Sequence, residues 1–456
     1  MLQDKHVLVL GAGRSGLGAA KLLTDHQAQV TILDSNKDLD QASVLAHFSD
    51  AEQDRIRIAV GDLTDELLDW AELAILSPGI PIDHEWVTTC GKADIPVWGE
   101  VELASRLSRG DILAITGTNG KTTTTTLLGQ MMQDAGKETF VVGNIGTAFT
   151  ETADATTDQS VIVAEISSFQ LESAPTFHPV VSSILNITPD HLNRHYTMEN
   201  YAAVKERIAA NQTAQEACVL NYEDPILRAF GGQTGAKVLW FSSEHVLEEG
   251  IWLEDNRITY RIDGLSGQIC HVDELQILGV HNYENVMAAC AMALAYGVDP
   301  ASVRKSVLAF KGVAHRIEYV CERDGVVYYN DSKGTNPDAS IRAIKAMRRP
   351  TLLIGGGYDK GSDYKPWIEA FDGKVKEFIL IGATREAIRD DALACGFDAD
   401  RIVLLDTFEE AVARCIADAE EGDAVLLSPA CASWGMFDNY EQRGDIFRCM
   451  VQQMHE

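Results

Sequence analysis

The chain has 456 residues, 46% hydrophobic and 23% charged: too long for one core and too apolar for a disordered protein. Its 68 acidic and 38 basic side chains leave a formal charge of −30, which disfavours nucleic acid as a partner but still permits local pockets for small phosphorylated ligands. No window approaches the roughly 20 apolar residues of a membrane span, residues 1–10 carry no signal-peptide pattern, and the nine scattered cysteines form no C-x-x-C pair, so a soluble cytoplasmic protein with reduced thiols is the expectation.

In chain order, an apolar run at 7–10 enters GAGRSG (11–16), a helical pattern follows through Leu17, Ala20 and Leu23, and a second strand at 30–33 ends at Asp34. This is a βαβ unit. Strands at 73–76 and near Val97 continue it, and the charged stretch 106–111 marks a boundary. A second unit starts with a strand at 112–116, a Gly-containing loop and a Thr-rich helix, followed by strands at 140–142, 161–164, 184–186, 219–221 and 238–241. Between Ile251 and Ile262 the pattern becomes a hairpin turning at Asp255 and Asn256, and a long apolar helix at 286–296 precedes a second boundary near Gly312. Strands at 326–329, 351–354, 378–381, 402–405 and 424–427 alternate with helices to the end. The reading is three α/β domains, at 1–105, 106–312 and 313–456, with mostly parallel sheets.

Several motifs carry chemistry. GAGRSG has dinucleotide-fingerprint spacing, with Asp34 at a distance suited to a ribose hydroxyl, yet by itself it does not separate NAD from another nucleotide diphosphate. GTNGKTT (117–123) lies between strand and helix, so its backbone N–H groups can cradle phosphates, Lys121 can reach the β and γ groups, and Thr122 can ligate magnesium. It departs from the usual phosphate-loop pattern, because Ile115 stands at the first Gly position. Glu165 ends the strand VIVAE at a sheet's carboxyl edge, and ILNIT leads to Asp190 and His191; beside a phosphate loop these are candidate metal-linked groups. Lys333 in NDSKGTN and Lys360 in GGGYDKGSDY occupy polar loops after strands, and the block SPACASWGMFDNYEQRG (428–444) is dense in potential donors and acceptors.

In this order, TGTNGKTT, AEISSFQLE, NITPDHLNRH, the Lys205 helix, GVHNYENVMAA, HRIEYV, NDSKGTN and SPACAS resemble the Mur ligase family over essentially the whole chain. SPGIP (77–81), NDSKGTN and the 428–444 block bring the resemblance closest to its D-glutamate-adding branch, and the D-N-P-R motif of the diaminopimelate-adding relatives is absent. Gly334 departs from the pattern, which most often has Ala after the lysine.

The resemblance implies a dinucleotide-fold-like N-terminal domain that holds the UDP moiety, a central P-loop-like ATPase with a mixed sheet, and a Rossmann-like C-terminal domain. It implies an ATP-dependent ligase of peptidoglycan precursor synthesis that joins D-glutamate to UDP-N-acetylmuramoyl-L-alanine, works with two magnesium ions and acts as a monomer. The UDP-substrate contacts implied are Arg14, Ser15, Asp34, Ser35 and Ser77, with Asn144 near the muramoyl part. For ATP they are Gly117, Thr118, Asn119, Gly120, Lys121, Thr122, Thr123, Asn282, Arg316 and Asp331. Thr122, Glu165 and His191 match metal ligands or metal-linked positions, and Lys205 matches the family's carbamylated lysine. Lys333, Thr335, Lys360, Ser433 and Tyr440 match the D-glutamate positions, while Lys121, Glu165, His191 and Lys205 carry the chemistry. Rival readings are another Mur-type or folylpolyglutamate-type ligase with a different acceptor, an NAD-dependent oxidoreductase, and a nucleotide-dependent binding module.

Overall fold

The computed structural model describes residues 2–144, 147–358 and 361–453. It divides into two compact units, the first comprising Met1–Val272 and Glu284–Val307, the second Asp273–Tyr283 and Leu308–Glu456.

The first unit holds two sheets. In the N-terminal one, β1 (His6–Leu10), β2 (Gln29–Asp34), β3 (Ile56–Val60), β4 (Leu73–Leu76) and β5 (Val97–Gly99) run in the order β3-β2-β1-β4-β5. All are parallel, and the inner strands are buried on both faces, which is why they read as unbroken apolar runs. The helix Arg14–Asp25 buries Ala19, Ala20, Leu22 and Leu23 on one stripe and ends before Gln27, whose φ of 63° cannot continue a helix.

The second sheet is built from β6 (Asp111–Thr116), β7 (Glu138–Gly143), β8 (Ser160–Glu165), β9 (Val181–Ile184), β10 (Ala217–Asn221), β11 (Lys237–Ser242), β12 (Gly250–Glu254), β13 (Arg257–Ile262) and β14 (Leu265–His271). Its order is β14-β13-β12-β11-β10-β9-β6-β8-β7, parallel from β7 to β12 and antiparallel across the last three strands. The expected hairpin is β12–β13, with Asp255 and Asn256 both at positive φ (48° and 58°), as a two-residue turn between twisted strands requires. One expectation shifts: the strand read at 184–186 is β9, which ends at Ile184, because residues 185–188 leave the sheet to bond the loop after β6.

In the second unit β15 (Glu318–Arg323), β16 (Val326–Asn330), β17 (Thr351–Gly357), β18 (Val375–Gly382), β19 (Ile402–Leu404) and β20 (Ala424–Leu427) take the order β15-β16-β20-β17-β18-β19. Only β15 is antiparallel to its neighbour. Apolar side chains on its two faces form separate cores, one around Trp367 and Phe378, the other around Phe408 and Phe447. Among the described residues, no helix is long and apolar enough to cross a membrane.

Candidate active site

β6 delivers the chain into a turn whose Gly120, at φ 86°, caps the helix Lys121–Asp134 from the left-handed region. That conformation aims the first backbone N–H groups of the helix outward, the arrangement that binds phosphate. A Cβ on Gly120 would lie 2.1 Å from Asn285 Oδ1, so the buried Asn285 side chain packs directly on the turn. The loop is also sewn to the segment after β9: Thr118 N–H donates to Asn186 O (2.9 Å), Asn119 N–H to Asn186 Oδ1 (2.8 Å), and Thr188 N–H to Thr118 Oγ1 (3.0 Å). Lys121 Nζ folds back onto the carbonyl oxygens of Gly117 and Thr118, each at 2.9 Å.

Glu165, at the end of β8, is 1% exposed. Its Oε1 accepts from Asn144 Nδ2 at 2.9 Å, while its buried Oε2 has no hydrogen-bond partner. An orphaned carboxylate oxygen of this kind is costly unless a cation or donor completes it. The backbones are equally tight here, since a Cβ on Gly143 would lie 2.2 Å from Glu165 O. His191 is half-exposed at φ 51°, next to Asp190 and against the Phe169 ring at 4.9 Å. On the helix Met198–Glu206, Lys205 is 1% exposed, donates from Nζ to Gly117 O at 2.8 Å and lies 4.7 Å from the Tyr201 ring centre. Burial, and then the charge of Lys121, lower its pKa to about 7. Together Thr122, Glu165 and His191 offer a hydroxyl, a carboxylate and an imidazole, and the orphaned oxygen of Glu165 fits a hard cation such as magnesium.

The GAGRSG turn follows β1. A Cβ on Gly16 would fall 1.9 Å from Gly11 O, so helix and turn meet there without room for a side chain. Asp34 is already engaged by backbone, accepting Ala12 N–H at 2.8 Å and Asn36 N–H at 2.9 Å, and so shapes the turn it was expected to complement. Ser35 follows it directly, and Ser77, after β4, bonds Gly11 O. A cavity of about 460 Å³ is lined jointly by Arg14, Ser15, Lys121, Asn144, His191 and Lys205. The first unit thus gathers expected UDP-side and phosphate-side residues around one space.

In the second unit Asp331 and Lys333 follow β16. Asp331 is buried; its Oδ2 accepts from Ser428 Oγ (2.7 Å) and its Oδ1 from Ile317 N–H (3.2 Å), and burial pushes its pKa up to about 7. Gly334 has a physical reason, since a methyl there would lie 2.5 Å from Asp331 Oδ2. Lys333 Nζ lies 5.5 Å from the Tyr440 ring centre, and burial raises the Tyr440 pKa to about 12. Ser433 is buried, Thr335 N–H bonds Lys333 O, and Arg316 precedes the Ile317 that bonds Asp331. Asn282 Nδ2 donates to Leu278 O at 2.7 Å. Lys360 lies outside the described residues.

Two residues at these sites were not singled out from sequence. Asn285 lies one turn beyond Asn282 on the same helix, a spacing that could have drawn attention to it. Arg443, 1% exposed, donates to Ser332 Oγ and Ser332 O at 2.9 and 2.8 Å and to Cys431 O at 3.3 Å, clamping the loops after β16 and β20 together.

Three family models match in succession: "Mur ligase MurD-like, N-terminal domain" over residues 5–99, "Mur ligase middle domain" over 115–293, and "Mur ligase, glutamate ligase domain" over 315–431. The UDP-N-acetylmuramoylalanine–D-glutamate ligase of Lachnoclostridium phytofermentans is 52% identical over 453 residues, covering 99% of each chain. That of Lachnospira eligens is 50% identical, covering 99% of this chain and 100% of its own. Among solved structures, the UDP-N-acetylmuramate–alanine ligase of Thermotoga maritima superposes with a TM-score of 0.57 at 17% identity over 99% of each chain. A UDP-N-acetylmuramoyl-L-alanyl-D-glutamate–2,6-diaminopimelate ligase gives 0.60 at 18% identity, covering 94% of this chain and 93% of that one. Both share the fold.

Proposed function

The chain belongs to the Mur ligase family, and from that premise we propose that it joins D-glutamate to UDP-N-acetylmuramoyl-L-alanine in an ATP-driven, cytoplasmic step of peptidoglycan precursor synthesis. The observation that carries the reading is the shared cavity: the turn expected to hold the UDP substrate and the lysine of the phosphate loop line one space. A carboxylate and a γ-phosphoryl group can meet there.

A free carboxylate resists attack by an amine, so the reaction needs a leaving group on the alanyl carbon. Transfer of the γ-phosphoryl group to the alanyl carboxylate supplies it, and attack by the D-glutamate amine then expels phosphate and leaves the amide. Lys121, with the outward N–H groups at the start of its helix, offsets charge on the transferring group. Asn144 orients Glu165 through its hydrogen bond. Magnesium, when bound, supplies further neutralisation of phosphate charge, held by Thr122, Glu165 and His191. An anionic oxygen from a carbamylated Lys205, a donor suited to that hard ion, would complete the set. The lowered pKa of Lys205 favours the neutral amine from which a carbamate forms.

In the second unit Lys333, Lys360, Thr335, Ser433 and Tyr440 are assigned to D-glutamate, and Asn282, Arg316 and Asp331 to the nucleotide. Three domains, at 1–105, 106–312 and 313–456, suit the three substrates and complete the proposal. Phosphate release from ATP, assayed with UDP-N-acetylmuramoyl-L-alanine and a panel of amino acids, tests it. Turnover with D-glutamate is expected; turnover only with L-glutamate, or with diaminopimelate in its place, overturns the acceptor assignment.

A further inference from the structure

Arg194 is not among the residues that line the 460 Å³ cavity. Its side chain is 10% exposed, and its partners come from both walls. On the N-terminal side Nη1 donates to Pro78 O at 2.8 Å and Nη2 to Ile80 O at 3.0 Å, gripping the turn that Ile80 N–H closes onto Ser77 O at 3.0 Å. On the central side the guanidinium pairs with Glu172 and stacks 4.3 Å from the Phe169 ring centre, while Arg194 N–H bonds His191 O at 2.9 Å. Pro78 and Gly79 line the 460 Å³ cavity from one side, Phe169 and His191 from the other. Arg194 itself lines a second cavity, of about 480 Å³, together with Pro81, Ile82 and Val204.

We propose that Arg194 is a positioning residue that sets the spacing between the UDP-substrate turn at 77–80 and the His191 segment, and through it the fit of the first substrate. The inference rests on the assignment of that turn to the UDP-linked substrate. A planar fork can reach two carbonyl oxygens and a carboxylate at once, whereas a single ammonium cannot hold all three in the same geometry. Glu172 compensates the charge, so the grip on the turn does not leave a buried cation unpaired. A second tie, from Tyr196 OH to Asp83, crosses between the same two segments nearer the surface and limits how far they part when the first is lost.

The test uses the full-length enzyme with Arg194→Lys and Arg194→Ala, steady-state kinetics in each substrate and a thermal melt. Losing two charge-assisted hydrogen bonds to the turn is expected to raise KM for UDP-N-acetylmuramoyl-L-alanine about tenfold or more in both variants. KM for D-glutamate stays within about twofold, because its assigned residues are untouched, and ethylguanidinium added to Arg194→Ala recovers part of the lost affinity. A purely structural role would lower the melting temperature and the active fraction without this selective KM change or rescue. Should the alanine variant not fold, the lysine variant carries the same comparison. Wild-type turnover of the UDP substrate with unchanged KM in the variants overturns the inference alone. Failure of the wild type to use that substrate overturns the reading beneath it, and the inference with it.

Discussion

Lys121 and Lys205 share one acceptor: both Nζ atoms donate to the carbonyl oxygen of Gly117, at 2.9 and 2.8 Å. Two ammonium groups so close repel each other, and the more buried one yields. Burial first, then the Lys121 charge, bring Lys205 down to about 7. Its neutral amine is therefore well populated at neutral pH and can add carbon dioxide, and the population falls as pH drops through 7. Turnover should decline in carbon-dioxide-depleted buffer, recover with bicarbonate, and need more bicarbonate at pH 6 than at pH 8. Lys205→Arg, which keeps a cation but cannot be carbamylated, should lose about 10²–10³ in kcat. Wild-type turnover in that variant would remove the role.

Asp331 gives stability its own pH signature. Its folded pKa of about 7 exceeds the ordinary 3.8 because it is buried, so the folded state binds the proton more tightly than the unfolded chain. That contribution is fully present below about 3.8 and lost as pH rises through about 7. Relative to Asp331→Asn, the wild type should therefore gain unfolding free energy as pH falls from 8 to 5. Urea titrations of both proteins at several pH values measure the difference; parallel curves would show that Asp331 does not titrate in that range.

Gly120 faces two separate barriers to substitution. Its left-handed φ costs an L side chain about 1–2 kcal/mol, and its new methyl would collide with Asn285 Oδ1. Gly120→Ala should weaken ATP binding, and pairing it with Asn285→Ala should relieve the collision but not the backbone cost. Calorimetric ATP affinity across the four combinations should show coupling of the two sites. Additive losses would mean that the contact is immaterial.

Lys333 tests the acceptor assignment. Its cation lies over the Tyr440 ring, 5.5 Å from the ring centre. Lys333→Ala should raise the D-glutamate KM about tenfold to a hundredfold, the weight of one charge-assisted contact with a carboxylate, with KM for the UDP substrate little changed. An unchanged D-glutamate KM would exclude Lys333 from that site.

What was legible in the sequence is what local pattern controls. The buried parallel strands read as apolar runs, the two glycine loops betrayed themselves by spacing, and the Asp255–Asn256 turn by composition. The edge strands β3, β14 and β15 went unread: Arg57 interrupts the first, and the other two expose alternate or polar residues. Long-range bonds were equally silent. Arg194 reaches carbonyls 114 and 116 residues away, and Arg443 reaches a serine 111 residues away, so nothing beside either in sequence announces its partner. Asp34 illustrates a third case: it ends β2 as the pattern predicted, but its bonds to Ala12 and Asn36 within the turn left no trace in the sequence.

The wall that backbone builds at Gly143 bears on how this enzyme could escape an inhibitor. Any side chain there would drive into Glu165 O, and at Gly120 into Asn285, so neither position can grow a group to exclude a bound compound without disturbing the residues around it. A molecule that takes its hydrogen bonds from these main-chain stretches would leave few substitutions able to confer resistance while preserving catalysis.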